Sequence, residues 1–138
     1  SLKSAAAVMD VEIIKANVDE TGHLTGASVS QALAAAGDGV FAIVATAGTT
    51  NFGIVDRIDE IAQVANENQI WFHVDGAYGL AGILSPESKH LFIGVEKADS
   101  LIVDPHKWLF APFDACALIY RNPELARQAH TQHGDASH

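Results

Sequence analysis

Short β-rich runs that alternate with helix-forming stretches, each run ending on a polar loop, constrain this chain more than any other feature of its sequence. Residues 40–44 (VFAIV), 70–75 (IWFHVD) and 100–104 (SLIVD) are rich in β-branched and aromatic side chains. Between the first two, Ile58, Ile61, Ala62 and Ala65 recur at the spacing of a helix with one buried face, predicting a helix to about Asn68. Thr25 or Ser28 can cap an Ala-rich helix through Ala36, which the GDG at residues 37–39 ends. Upstream, residues 4–9 suit a short helix, and Val11, Ile13 and Ile14 begin a strand-like run. A mixed helical and loop region separates the second and third runs. Residues 115–120 read as a further strand and Pro123 opens a polar helix. Strands alternating with helices predict an α/β fold with a mainly parallel sheet flanked by helices, and functional loops at the carboxyl ends of the strands.

Charge and length narrow the partners. The chain has 138 residues, 8 Lys plus Arg against 17 Asp plus Glu, and a formal net charge of -9, which opposes attraction to nucleic acid or anionic lipid. Its apolar runs fall well short of the roughly 20 residues of a membrane span. One cysteine, Cys116, excludes an intrachain disulfide framework, and the first ten residues lack a secretory apolar segment, so a cytoplasmic location is expected. Cys116 lies in an apolar strand pattern and is expected in the core. No GxSxG or Walker-type sequence is present. His130, His133 and His138 share a polar tail without cysteines, a poor zinc set, so no metal site is expected and the tail is expected to be mobile.

Chemistry concentrates in three strand-end loops: ATAGTTNFG at residues 45–53, HVDGAYG at 73–79 and DSLIVDPHKWL at 99–109. Lysines are ordinarily solvated. Lys107, however, follows a buried-looking strand and is flanked by His106, Trp108, Leu109 and Phe110, surroundings that favour a neutral, nucleophilic amine. Asp75, at the end of its run, suits either a turn or cap or a charged functional position.

Taken in order, the aspartate loop, the PHKW of the lysine loop, GTT at residues 48–50, ADS at 98–100 and FDACALIYR after the lysine resemble the group II pyridoxal 5'-phosphate (PLP) decarboxylases, the family of aromatic amino-acid, histidine and glutamate decarboxylases. The 32-residue separation of Asp75 and Lys107 suits that family. The resemblance implies part of the large domain of PLP fold-type I, the aspartate aminotransferase-like fold. It makes Lys107 the Schiff-base lysine and Asp75 the carboxylate that keeps the cofactor ring nitrogen protonated. It sets Ala77 against one face of the ring, Thr50 near cofactor and substrate, and His106 at the cofactor phosphate or the substrate. Lys107, Asp75 and His106 are then the catalytic residues. Asp104 matches a position that is Asn in well-known animal members and helps hold the phosphate, where a carboxylate would repel unless screened. Gly76 replaces the first alanine of the usual VDAA, at an expected cost in backbone rigidity. Asp56 matches an aspartate remote from the cofactor and is expected to cap a helix or support the site.

The resemblance further implies decarboxylation of an L-amino acid, aromatic ones first, to the amine and carbon dioxide by a homodimer. Residues 1–138 would be the central part of the PLP-binding large domain, without the upstream phosphate-binding loop and the carboxyl-terminal small domain, and inactive by themselves. Two alternatives stay open: another reaction of the same fold type, namely transamination, desulfuration or oxidative decarboxylation, or a catalytically inert structural fragment.

Overall fold

The structure, a computed structural model, describes residues 2–131. Four strands form one sheet in the order β1 (Ala42–Thr46), β2 (Trp71–Asp75), β3 (Ser100–Val103) and β4 (Ala117–Tyr120). The first three are parallel and β4 returns antiparallel to β3. The predicted mainly parallel α/β sheet is therefore present. Parallel neighbours need a crossover, and α3 (Ile58–Glu67) supplies the one between β1 and β2. Its apolar stripe, Ile58, Ile61, Ala62 and Ala65, is buried with Phe72 and Val74 from β2 and Ile43 and Ala45 from β1. Between β2 and β3 the chain runs through three short 3-10 turns, with Leu80, Phe92 and Val95 closing the core.

α1 (Leu2–Met9) and α4 (Pro123–His130) stand where the sequence predicts helices, and α2 (Gly26–Ala36) is capped by Thr25, whose side chain accepts from Ser28 N–H at 3.1 Å. The first turn of α3 reaches back to the same end of α2: Gly26 N–H donates to Glu60 Oε2 at 3.1 Å. The strand expected at Val11, Ile13 and Ile14 is absent. Residues 11–19 carry no strand, and Ile13 and Ile14 are each 51% exposed. They pair with no described strand, and β-rich composition without a partner does not make a sheet.

Asp56 supports the fold, but not as a helix cap. Arg57 occupies the N-cap of α3, without a side-chain bond. The buried Asp56 carboxylate instead accepts from Leu24 N–H at 2.8 Å and Thr46 N–H at 2.7 Å, tying the approach to α2 to the carboxyl end of β1. Asp56→Asn turns one acceptor into an amide facing an N–H donor, and we expect a loss of about 2 kcal/mol in stability, read by urea unfolding. An unchanged midpoint would mean that the carboxylate bridge does not hold these segments.

Cys116 is exposed, correcting its expected place in the core. It precedes β4, which has a neighbour on only one side, and Leu118 and Ile119 beside it are also about half exposed (47% and 50%). The helical start of the tail, through His130, is α4. His133, His138 and the rest of the tail lie outside the described residues, as does the side chain of His130. Among the described residues, no helix is long and apolar enough to cross a membrane.

Candidate active site

Strand register brings the chemical loops to one edge. Thr46 pairs with Asp75 and Asp75 with Ile102, so the carboxyl ends of β1, β2 and β3 lie side by side, and Asp104 follows two residues beyond Ile102. The aspartate and lysine loops are also bonded to each other. Gly76 N–H donates to Ile102 O at 3.1 Å and Asp104 N–H to Ala77 O at 3.2 Å, while the Tyr78 and Trp108 rings meet edge to face at 5.7 Å. Gly76 also fits the close packing of this loop. A Cβ there would lie 2.4 Å from Leu80 Cβ and 2.9 Å from Ile102 O, so glycine is what lets the loop pack this closely.

Asp75 directs Oδ1 to Ala77 N–H at 3.2 Å, the turn geometry of an aspartate after a strand, which fixes the carboxylate at the sheet edge. Lys107 is turned back toward Asp104. Its N–H donates to Asp104 O at 3.0 Å, and Nζ forms an ion pair with Asp104 Oδ2 at 2.8 Å. This contact holds the Asp104 carboxyl below the ordinary aspartate pKa. Among the described residues the other oxygen, Oδ1, is buried with no N–H or O–H donor on it; the Cys116 thiol lies beside the carboxylate, which pushes the thiol pKa up. The carboxylate expected to repel a phosphate is thus neutralised by Lys107.

His106 meets Ala115. Its Nδ1 lies 2.6 Å from Ala115 O and 3.1 Å from Ala115 N, and its ring packs edge to face on Phe113 at 5.0 Å. With Nδ1–H given to the carbonyl, the ring donates from Nε2 only as the imidazolium. Thr50 is exposed, and no hydrogen bond among the described residues joins it to Asp75, Ala77, Asp104 or Lys107. The hydroxyl that closes its turn belongs to Thr49, whose Oγ1 accepts from Ile54 N–H at 3.1 Å.

One group escaped the sequence reading. Trp71, His73 and Asp75 alternate onto a single face of β2, and Ser100 is the register partner of His73. Ser100 Oγ accepts from Trp71 Nε1 at 2.9 Å and meets His73 Nδ1 at 2.8 Å. Burial pushes the His73 pKa down while the Asp75 carboxylate, on the same face of β2, partly opposes it. The period-two alternation of β2 was the available signal. Two surface concavities, about 510 and 730 Å³, lie toward the amino ends of the parallel strands, and neither is lined by Asp75 or Lys107.

Comparison with known proteins agrees with this geometry. The pyridoxal-dependent decarboxylase conserved domain matches residues 1–134. Aromatic-L-amino-acid decarboxylase of Drosophila lebanonensis is 37% identical over 126 residues, covering 89% of this chain and 31% of the relative. Among solved structures, mouse CSAD superposes with a TM-score of 0.85 at 32% identity over 99% of this chain and 30% of that one. The 4-hydroxyphenylacetaldehyde synthase of Rhodiola rosea gives 0.83 at 32% identity over 93% and 29%. The chain therefore spans under a third of the length of these relatives. A match along nearly the whole chain, with the aspartate and lysine loops at one sheet edge, makes this chain a member of the pyridoxal-dependent decarboxylase family.

Proposed function

We propose that the protein carrying this chain removes the α-carboxylate of an L-amino acid, aromatic ones first, as carbon dioxide and leaves the amine, with Lys107 as the covalent anchor of pyridoxal 5'-phosphate. The observation that supports this most is the bonding of the Asp75 loop to the Lys107 loop at one sheet edge, through Ala77 O and Asp104 N–H. A primary amine and a carboxylate on neighbouring strand ends fit an aromatic aldehyde with a basic ring nitrogen.

When bound, the cofactor supplies an electron sink for the bond that breaks. Asp75, fixed by Ala77 N–H, is the partner of the ring nitrogen, and its charge favours the protonated ring. Ala77 is the small residue beside the ring. His106, held through Nδ1, meets the phosphate or the substrate with Nε2. Asp104 contributes to the phosphate end through its loop, and Thr50 lies near the substrate. Residues 1–138 constitute the central part of the large domain, and other parts of a cytoplasmic homodimer supply the phosphate-binding loop and the small domain.

A second outcome, oxidative decarboxylation in which dioxygen takes two electrons to become hydrogen peroxide and the nitrogen leaves as ammonia with the aldehyde, is favoured by the similarity to the Rhodiola rosea synthase. One experiment separates the possibilities. The protein is loaded with PLP, reduced with borohydride and mapped by peptide mass, and a parallel sample receives aromatic L-amino acids for product analysis. We expect label on Lys107, with carbon dioxide and amine released. Carbon dioxide with aldehyde selects the second reading, a keto acid without carbon dioxide removes decarboxylation, and label confined to other lysines removes Lys107 as the anchor.

A further inference from the structure

The Asp104 carboxylate has an unusual set of neighbours. Its backbone is fixed by Ala77 O, and the following Pro-His-Lys turn returns the Lys107 ammonium to Oδ2 at 2.8 Å. The Asp104 side chain is only 12% exposed, against 32% for Lys107. Oδ1 is buried and takes no N–H or O–H donor among the described residues. The charged and titratable groups around the pair are the Cys116 thiol, from the segment before β4, and the His106 ring, with Asp114 acting on Cys116. Of these the thiol is a weak donor, and the histidine meets Ala115 through Nδ1. Among the described residues, the Lys107 ammonium is therefore the strong partner on which the buried charge of Asp104 depends.

We propose that Asp104 is a positioning residue for Lys107, holding its side chain as an ammonium against the loop whenever the lysine is not joined to the cofactor. This presupposes Lys107 as the anchor. Attachment joins Nζ to the aldehyde carbon by a double bond; the aldehyde oxygen leaves as water with two of the ammonium protons, and the third goes to solvent. That step takes from Asp104 its ionic partner and leaves a poorly solvated carboxylate, which is costly. Asp104 therefore slows cofactor attachment and favours the freed lysine. In turnover, the same carboxylate gives the lysine a defined resting place while the substrate amine occupies the cofactor. An asparagine at this position would keep the shape of the loop without the ionic hold.

The test compares the cofactor-free protein with Asp104→Asn and Asp104→Ala, each exposed to PLP and, separately, to pyridoxal, which lacks the phosphate. Samples are reduced with borohydride at successive times, and label at Lys107 is scaled to label at the exposed Lys89. Both variants are expected to label Lys107 about tenfold faster with either aldehyde, Lys89 being unchanged, because a partly buried charge-assisted pair has been removed. Faster labelling with PLP alone would mean that Asp104 acts by repelling the phosphate, and would overturn the inference. So would equal or slower labelling of Lys107 with both aldehydes. Absence of label at Lys107 in all three proteins would overturn the anchor assignment and this inference together, whereas label at equal rates overturns this inference alone.

Discussion

Lys107→Arg is expected to lower decarboxylation by on the order of a thousandfold or more while the protein stays folded, because a guanidinium keeps the charge and loses the nucleophile. Arginine is the informative substitution here. Lys107→Ala would leave the Asp104 carboxylate, whose Oδ1 is already buried without a donor among the described residues, without its ion-pair partner, and a loss of activity could then be a loss of the loop. Arginine preserves a cation for Oδ2, and with a third of the Lys107 side chain exposed there is room for the larger head. Three measurements check the outcome: carbon dioxide released from aromatic L-amino acids, borohydride label on the peptide containing residue 107, and the urea midpoint. We expect the first to collapse, the second to vanish and the third to move by less than about 0.5 kcal/mol equivalent. Activity within tenfold of the original would remove Lys107 from the chemistry, whatever its position at the sheet edge.

Local rules made some parts of this molecule legible and left others hidden. The crossover helix could be read because the positions that recur at 3.6-residue spacing, Ile58, Ile61, Ala62 and Ala65, are the ones that meet Phe72 and Val74. The aspartate and lysine loops could be read because each follows a β-rich run directly, so the ends of the runs locate the loops. The strand expected at Val11 to Ile14 failed for the opposite reason: whether a β-rich run pairs depends on an edge elsewhere, which composition does not encode. Cys116 was misread in the same way, since apolar neighbours do not imply a cover over the strand they belong to. Asp56 stands before a helix like a cap, yet its carboxylate is used by Leu24 and Thr46, the former 32 residues away. The Lys107 to Asp104 pair needs the turn that returns Nζ to its own loop, and the meeting of Ser100 with His73 needs the register between β2 and β3. Residue types were visible at all of these places; which of them touch was settled by backbone geometry, local in the turn at Asp104 and long-range at Asp56 and Ser100.

Gly48→Ala is expected to destabilise the protein by about 3 to 4 kcal/mol, the sum of left-handed backbone strain and overpacking. Gly48 has φ +97, and a Cβ built on it lies 2.5 Å from Gly79 Cα and 3.3 Å from both Gly79 N and Gly79 C. The contact is reciprocal, because a Cβ on Gly79 would meet Gly48 Cα at 2.5 Å and Ala47 O at 2.7 Å. Here the backbone after β1 presses on the backbone after the Asp75 turn, and no flexible side chain can give way. The added methyl must separate the two loops, straining the Ala47 N–H bond to Asp75 O, now 2.8 Å, and shifting Asp75 against its neighbours. Gly53→Ala is the matched control. Gly53 lies in the same loop with φ +67 and has nothing within 4 Å of its built Cβ, so it pays the backbone strain alone, about 1 kcal/mol. Urea unfolding of both variants isolates the steric part as their difference, and cofactor retention should fall in Gly48→Ala alone, because only that substitution moves Asp75. Equal losses in the two variants would mean that the Gly48 to Gly79 contact is loose and that the loops are held in place by something other than their glycines.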